Sequence, residues 1–139
     1  MSLSSFFKEA ALPVEEREII ISTRFVDKSG SPIPWRIRGV SEARNTALRD
    51  ECTRRSVDKK TKRIESTFDG NRYYALLAAE SVVYPDLRDA ELQKSYDVMG
   101  ADKLLGVMLT AGEFARLSEA VQESSGFDIQ EAIEEAKNS

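Results

Sequence analysis

The segment between residues 96 and 117 constrains the fold most, because it has the pattern of two short amphipathic helices. Four apolar side chains fall on one helical stripe: Leu104, Leu105, Met108 and Leu109. Gly112 follows, at the place where a left-handed cap commonly ends a helix. Three further residues then restart the helical period: Phe114, Leu117 and Val121. The pattern predicts a pair of helices whose apolar faces pack against the core or bind a partner.

Residues 18–40 have the pattern of an antiparallel β-hairpin. Apolar and polar residues alternate in two runs, with the inward positions at Ile19, Ile21, Thr23, Phe25, Ile33, Trp35 and Ile37. Turn-forming residues occupy 27–32 between the runs. Trp35 is predicted to be a core anchor. Arg24, Arg36 and Arg38 would share the other face, as the solvated side of the hairpin or as a basic strip.

Three helical segments and a polar connector are predicted after the hairpin. Ser41 is a good N-cap for a helix over 41–57. A solvated connector of mixed charge follows near 58–70, and the most apolar helix runs over 71–84 until Pro85 ends it. Asp86 is predicted to cap the next helix, which leads into the pair described above.

Charge is distributed unevenly along the chain. Six basic residues lie in the central polar segment: Arg54, Arg55, Lys59, Lys60, Lys62 and Arg63. From residue 113 to the end there are seven acidic residues and two basic ones, and a short helix is predicted over 128–137. This asymmetry either steers weak head-to-tail self-association or is ordinary surface charge.

The first 17 residues are predicted to form a leader with a small apolar face. Phe6 and Phe7 stand side by side near the terminus. They either dock on a partner or fold back onto the core. Residues 18–139 are expected to form one domain, since 139 residues match the usual size of a single domain.

The expected class is therefore α+β and mostly α, with the N-terminal antiparallel hairpin packed on a bundle of about five helices. A hairpin is marginal alone in water, so it needs the helices beneath it.

The residue types present argue against catalysis. The chain has no histidine, which removes the commonest general base and zinc ligand. Cys52 is the only cysteine, and the seven glycines are too scattered for a phosphate loop. We therefore expect no enzymatic activity, no metal and no organic cofactor. No apolar run approaches the roughly 18 residues of a membrane span, so no membrane partner is expected.

Several short motifs resemble the XkdN-like family of phage tail assembly chaperones. They are Pro85-Asp86-Leu87, Leu92-Gln93, the Gly-Ala, Leu-Leu, Met-Leu and Gly-Glu-Phe series from Gly100 to Phe114, and Glu135-Ala-Lys-Asn138. The resemblance runs from about Trp35 to the C-terminus. Asp97 stands where the resemblance leads us to expect a glycine.

The resemblance implies a chaperone that coats the tape measure protein during tail assembly, keeps it soluble and brings in tail tube subunits. It implies action in the cytoplasm of the bacterial host and absence from the mature virion. In many members of the broader group a programmed frameshift adds a second domain to some copies, and this chain would be the unextended form.

Two classes of function remain open at this stage. The first is a binding protein whose partner-binding candidates are Leu105, Met108, Leu109, Phe114, Leu117, Val121, Phe6 and Phe7. The alternative is a small non-enzymatic nucleic-acid-binding or regulatory protein that uses the arginine strip and the basic segment. Interleaved acidic residues and the net charge of −4 favour the first class, with no nucleic acid partner.

Overall fold

The computed structural model describes residues 2–127 and 137–138. It shows an α+β chain with two small antiparallel sheets, as expected in class, but with more strand than predicted. The strands are β1 (Arg17–Ile19), β2 (Trp35–Ile37), β3 (Thr53–Val57), β4 (Ile64–Phe68) and β5 (Val82–Tyr84). The helices are α1 (Glu42–Glu51), α2 (Gly70–Ser81), α3 (Ala90–Ser95), α4 (Ala101–Met108) and α5 (Ala111–Ser124). The helix predicted over 128–137 lies almost wholly outside the described residues.

The first sheet contains the predicted hairpin and one additional strand. β1 pairs with β2, with Ile19 opposite Trp35, but each strand has only three residues. β5 pairs with the other edge of β2, with Ile37 opposite Val82. The prediction that helix 71–84 continues to Pro85 is therefore wrong, because α2 ends at Ser81 and β-branched Val82 and Val83 begin a strand.

The core lies between this sheet and the helices. Trp35, as predicted, is buried at 2% exposure, and Ile37 is fully buried beside it. Helical side chains complete the cluster, with the largest fully buried ones at Leu77, Leu104, Leu105, Leu117 and Val121. Each such side chain contributes roughly 1.5–3 kcal/mol through removal from water. The apolar stripe of the predicted helix pair thus points mainly inward.

The segment predicted to be a polar connector forms a second hairpin. α1 begins after the predicted N-cap Ser41 but ends at Glu51 rather than at residue 57. β3 and β4 then pair along their whole length, from Thr53 opposite Phe68 to Val57 opposite Ile64. This hairpin has almost no buried face, so the alternation of apolar and polar residues that normally marks a strand is weak in its sequence.

Two predicted helix caps also differ from the structure. Gly112 does not end a helix: it lies in the first turn of α5. Thr110 is the N-cap of α5, and Thr110 and Glu113 form a capping box, each side chain bonded to the backbone N–H of the other. Similarly Asp89, not Asp86, caps α3 by accepting a hydrogen bond from Leu92.

The turn before α4 retains a shape suited to glycine although the residue is aspartate. Asp97 has φ of +56°, in the left-handed region that aspartate tolerates better than most residues. Gly100 follows with φ of +112°, which favours glycine strongly. Both residues lie in the turn between α3 and α4. The aspartate at position 97, where a glycine is expected, is therefore compatible with the turn.

Candidate partner-binding groove

An open groove lies where α2, α4 and α5 meet. Its volume is roughly 600 Å³. Phe114 of α5 and Tyr74 and Ala75 of α2 contribute accessible apolar surface, while Leu105 and Leu109 of the α4 segment line the groove but are only 0% and 8% exposed. The groove therefore presents mostly apolar side chains of α2 and α5 to the outside.

Gly106 helps to keep the groove open. It lies in the middle of α4 and lines the groove, although glycine weakens a helix by roughly 0.5–1 kcal/mol relative to alanine. A Cβ atom added at Gly106 would meet no atom within 4 Å, so the position borders empty space. A side chain at residue 106 would extend into the groove rather than into the core.

Tyr74, the aromatic residue that α2 contributes to the groove, is positioned by the buried ring of its neighbour Tyr73. The Tyr73 ring is buried, and its hydroxyl donates a hydrogen bond to Asn45 Oδ1 of α1. Burial raises the pKa of the Tyr73 hydroxyl, so the group stays protonated and able to donate. Tyr74 packs edge-on against this ring at a centroid distance of 5.3 Å and keeps 43% of its surface exposed. Tyr74 thus offers a positioned aromatic face at the groove.

A different face of α5 is tied to the N-terminal part of the chain. Arg24 Nη2 lies 2.7 Å from the Met108 carbonyl oxygen and donates to it, and Arg24 also pairs with Glu113. Arg116 donates to the Ile21 carbonyl oxygen at 2.7 Å. These bonds fix the corner between α4 and α5, and that corner sets the shape of the groove.

The structure brings together only part of the predicted partner-binding set. Leu105, Leu109 and Phe114 line the groove. Leu105 and Leu109 are buried, and only Phe114 is partly exposed. The other three candidates of the helix pair are core residues that do not line it: Met108, Leu117 and Val121. As partner contacts all six remain predictions.

Phe6 and Phe7 lie away from the groove, in the leader. They are 81% and 59% exposed, so the alternative in which they fold back onto the core does not hold in this structure. Leu3, Leu12 and Val14 of the same leader are also largely exposed.

Sequence reasoning missed the α2 side of the groove and its glycine. The sequence patterns described above mark neither Tyr74 nor Gly106. A glycine inside an otherwise apolar helix was the available signal, since such a glycine often has a packing or functional reason.

The predicted basic strip is broken by ion pairs. Arg24 is paired with Glu113, and Arg36 lies 3.2 Å from Glu16. Arg38 is exposed, and among residues 2–127 its backbone N–H donates to the Ser81 carbonyl oxygen while its guanidinium forms no ion pair. Two of the three cations are thus neutralised locally, which weakens the case for a phosphate-binding face.

Groups suited to chemistry are sparse in the part of the chain that the structure describes. In that part, no three His, Cys, Asp or Glu side chains lie close enough together to hold a metal ion. Cys52 is buried, and burial raises the pKa of its thiol, which disfavours the reactive thiolate. None of the helices in residues 2–127 is long and apolar enough to cross a membrane.

The fold and the groove together define a small α+β protein with an open, mostly apolar groove. The chain belongs to the phage XkdN-like tail assembly chaperone family, whose model matches residues 3–137. This is a family of chaperones and not of enzymes.

Similar proteins come from Bacillus subtilis strain 168. The phage-like element PBSX protein XkdN is 34% identical over 139 positions, covering 98% of this chain and 93% of XkdN. Protein YqbN is also 34% identical, over 142 positions with the same coverage. The crystal structure of YqbN matches with a TM-score of 0.75 at 29% identity, covering 91% of this chain and 97% of YqbN.

Proposed function

We propose that this protein binds the tape measure protein during phage tail assembly and keeps it soluble, using the groove between α2, α4 and α5. The observation that carries the proposal is the groove itself: it is apolar, open and bordered by the half-exposed ring of Tyr74. We place the accessible client contacts at Tyr74, Gly106 and Phe114, with the buried candidates Leu105 and Leu109 lining the groove beside them. Met108, Leu117 and Val121 support the site from the core.

The groove suits one amphipathic helix of a long helical client. Such helices bind grooves through apolar side chains spaced three and four residues apart. The volume of roughly 600 Å³ lies within the range of about 300–1,000 Å³ found for pockets that bury small ligands, so it can take a few anchoring side chains. Covering those side chains removes the surface through which an unassembled client would aggregate.

Family membership and the same physical features support a wider role. We infer that the protein helps to recruit tail tube subunits, acts in the host cytoplasm, leaves before the virion is complete and performs no chemistry. The exposed leader with Phe6 and Phe7 is the second candidate contact, either for the client or for the tube subunit.

Co-expression with the tape measure protein of the same phage genome tests the proposal. We expect the client to be soluble and to co-purify with this chain, and to be insoluble when expressed alone. Tyr74→Ser should reduce the co-purified client. Tyr84→Ser is the matched control, because Tyr84 is equally exposed at 45% but lies on β5 outside the groove.

A client that is equally soluble without this chain would contradict the proposed activity. If both tyrosine variants retained the client fully, the activity would stand but the groove would be excluded as its site. Phe6→Ser combined with Phe7→Ser would then test the leader.

A further inference from the structure

The groove between α2, α4 and α5 carries a single negative charge. Of the thirteen described residues that line the groove, only Asp102 has a charged side chain. Asp102 lies in the first turn of α4 and is partly exposed. The other polar lining residues are uncharged: Asn71, Thr110, Ser118 and Gln122. The charge of the groove lining is therefore set by one carboxylate.

The Asp102 carboxylate is not neutralised by the part of the chain that the structure describes. None of the ion pairs among residues 2–127 includes it. Lys103 follows Asp102 in the chain but does not line the groove, and Arg72 of α2 is paired with Glu51 at 3.2 Å. An acidic residue in the first turn of a helix is favourable by itself. That effect does not require the acid to line an apolar groove, as Asp102 does.

Asp102 lies in line with the apolar part of the groove. Asp102, Gly106 and Leu109 are spaced by four and then three residues, so they share one face of the α4 segment. At 1.5 Å of rise per residue, position 102 is about 6 Å from position 106 along the helix axis. A client helix that lies along α4 and packs a side chain against Gly106 therefore passes close to the Asp102 carboxylate.

Covering this carboxylate makes the groove selective among client helices. A purely apolar helix would remove the carboxylate from water without giving it a partner, which weakens binding. A helix with an acidic side chain at that point would add like-charge repulsion. A Lys or Arg side chain would instead form a partly desolvated ion pair, and such pairs provide electrostatic specificity at interfaces.

We propose that the groove selects client helices with a Lys or Arg three or four residues from the apolar side chain that packs against Gly106, and that Asp102 binds this cation. The proposal rests on the function proposed for the groove and adds the kind of helix that the groove takes. Residues three and four apart share one face of a helix and lie about 4.5–6 Å apart along its axis. This separation matches that of Gly106 and Asp102 on α4.

Binding of overlapping helical fragments of the tape measure protein to the full-length chain tests the proposal. Calorimetry identifies the fragment that binds most tightly, and we expect it to contain a Lys or Arg at the stated spacing. Each such cation is replaced by Gln in turn, and one replacement should weaken binding about fivefold or more. Asp102→Asn should weaken binding of the unaltered fragment to a similar extent. The two changes together should weaken binding little more than either alone, because they remove the same ion pair.

Glu91→Gln is the matched control variant. Glu91 is the second residue of α3, as Asp102 is of α4, and each follows an alanine, but Glu91 does not line the groove. Both substitutions remove a negative charge from the first turn of a helix, so their effects on stability should be similar and small. Only Asp102→Asn should weaken binding of the fragment. Asp102→Lys should weaken it further, and a Glu in place of the fragment's cation should restore binding to that variant.

The outcomes separate this proposal from the proposed function. If Asp102→Asn binds the fragment like the wild type while Gly106→Leu does not bind it, the cation contact is overturned and the groove remains the client site. Stronger binding to Asp102→Asn would also overturn the contact, since the carboxylate would then only oppose binding. Equal weakening in Glu91→Gln would show an effect of net charge alone and would overturn it as well. Failure of every fragment to bind the wild-type chain would overturn the proposed function together with this proposal.

Discussion

Arg24 and Glu113 join the N-terminal part of the chain to the first turn of α5 through two parallel hydrogen bonds. Arg24 Nη2 lies 2.5 Å from Glu113 Oε1, and Nε lies 3.2 Å from Oε2. The same carboxylate accepts the Thr110 N–H at 2.8 Å and so completes the capping box. One side chain therefore both starts α5 and fixes the corner beside the groove.

The Arg24–Glu113 pair should make the fold sensitive to acid. Hydrogen bonds from Arg24 first, and then from Ser22 and Thr110, hold the pKa of Glu113 well below its usual range. The carboxylate thus stabilises the fold above its unfolded-state pKa of about 4.3, and this contribution is lost as the pH falls further. Urea unfolding followed by fluorescence of Trp35 should show stability declining below about pH 5.

Glu113→Gln should remove part of this pH dependence. At pH 7 the variant should be less stable than the wild type, and the difference should shrink toward pH 3. Glu119→Gln is the matched control, since Glu119 is an exposed carboxylate on the same helix. A wild-type pH profile in the Glu113→Gln variant would show that the pair does not contribute.

Neighbouring residues of α4 should differ sharply in their effect on stability. Met108 is 5% exposed and Val107 is 52% exposed. Met108→Ala should cost about 2–5 kcal/mol of unfolding free energy, because it leaves a cavity in the core. Val107→Ala should change stability by less than about 0.5 kcal/mol. Equal losses for the two variants in urea titrations would contradict the assignment of Met108 to the core.

The base of the β3–β4 hairpin should control its local opening. Phe68 contacts the Tyr73 ring at a centroid distance of 5.6 Å as well as the Arg49 guanidinium. Phe68→Ala should therefore speed hydrogen exchange of β3 and β4 amides while core amides in α5 stay protected. Val57→Ala, at the exposed tip, should have little effect. Unchanged exchange in Phe68→Ala would show that the anchor is elsewhere.

The helix pair could be predicted from sequence because its stripe repeats at the helical period and its members are buried. The start of the second helix of the pair is not predicted correctly, although the sequence contains the signal: Thr110-Ala-Gly-Glu113 has the spacing of a capping box. Gly112 suggests the end of a helix, because glycine is common at helix C-termini. In the structure Gly112 lies in the first turn of α5 instead.

The strands outside the first hairpin could not be predicted with the same rules. β5 pairs with β2 across about 45 residues of sequence, and only this long-range pairing makes Val82–Tyr84 a strand. β3 and β4 are charged on both faces, so no buried side marks their period. The shape of the groove depends on how α2 packs against α4 and α5. The periodicity of apolar residues within one helix does not predict how that helix packs against others.

Filling the groove is the most direct test of the proposed client site. Gly106 and Gly112 are both exposed helical glycines, and a Cβ at either meets nothing within 4 Å, but only Gly106 lines the groove. Affinity for a soluble helical fragment of the tape measure protein should be measured by calorimetry for Gly106→Leu and Gly112→Leu. We expect Gly106→Leu to remain folded and to bind at least about tenfold more weakly, a loss of about 1.4 kcal/mol, while Gly112→Leu binds like the wild type. Wild-type affinity in a folded Gly106→Leu variant would contradict the groove as the client site.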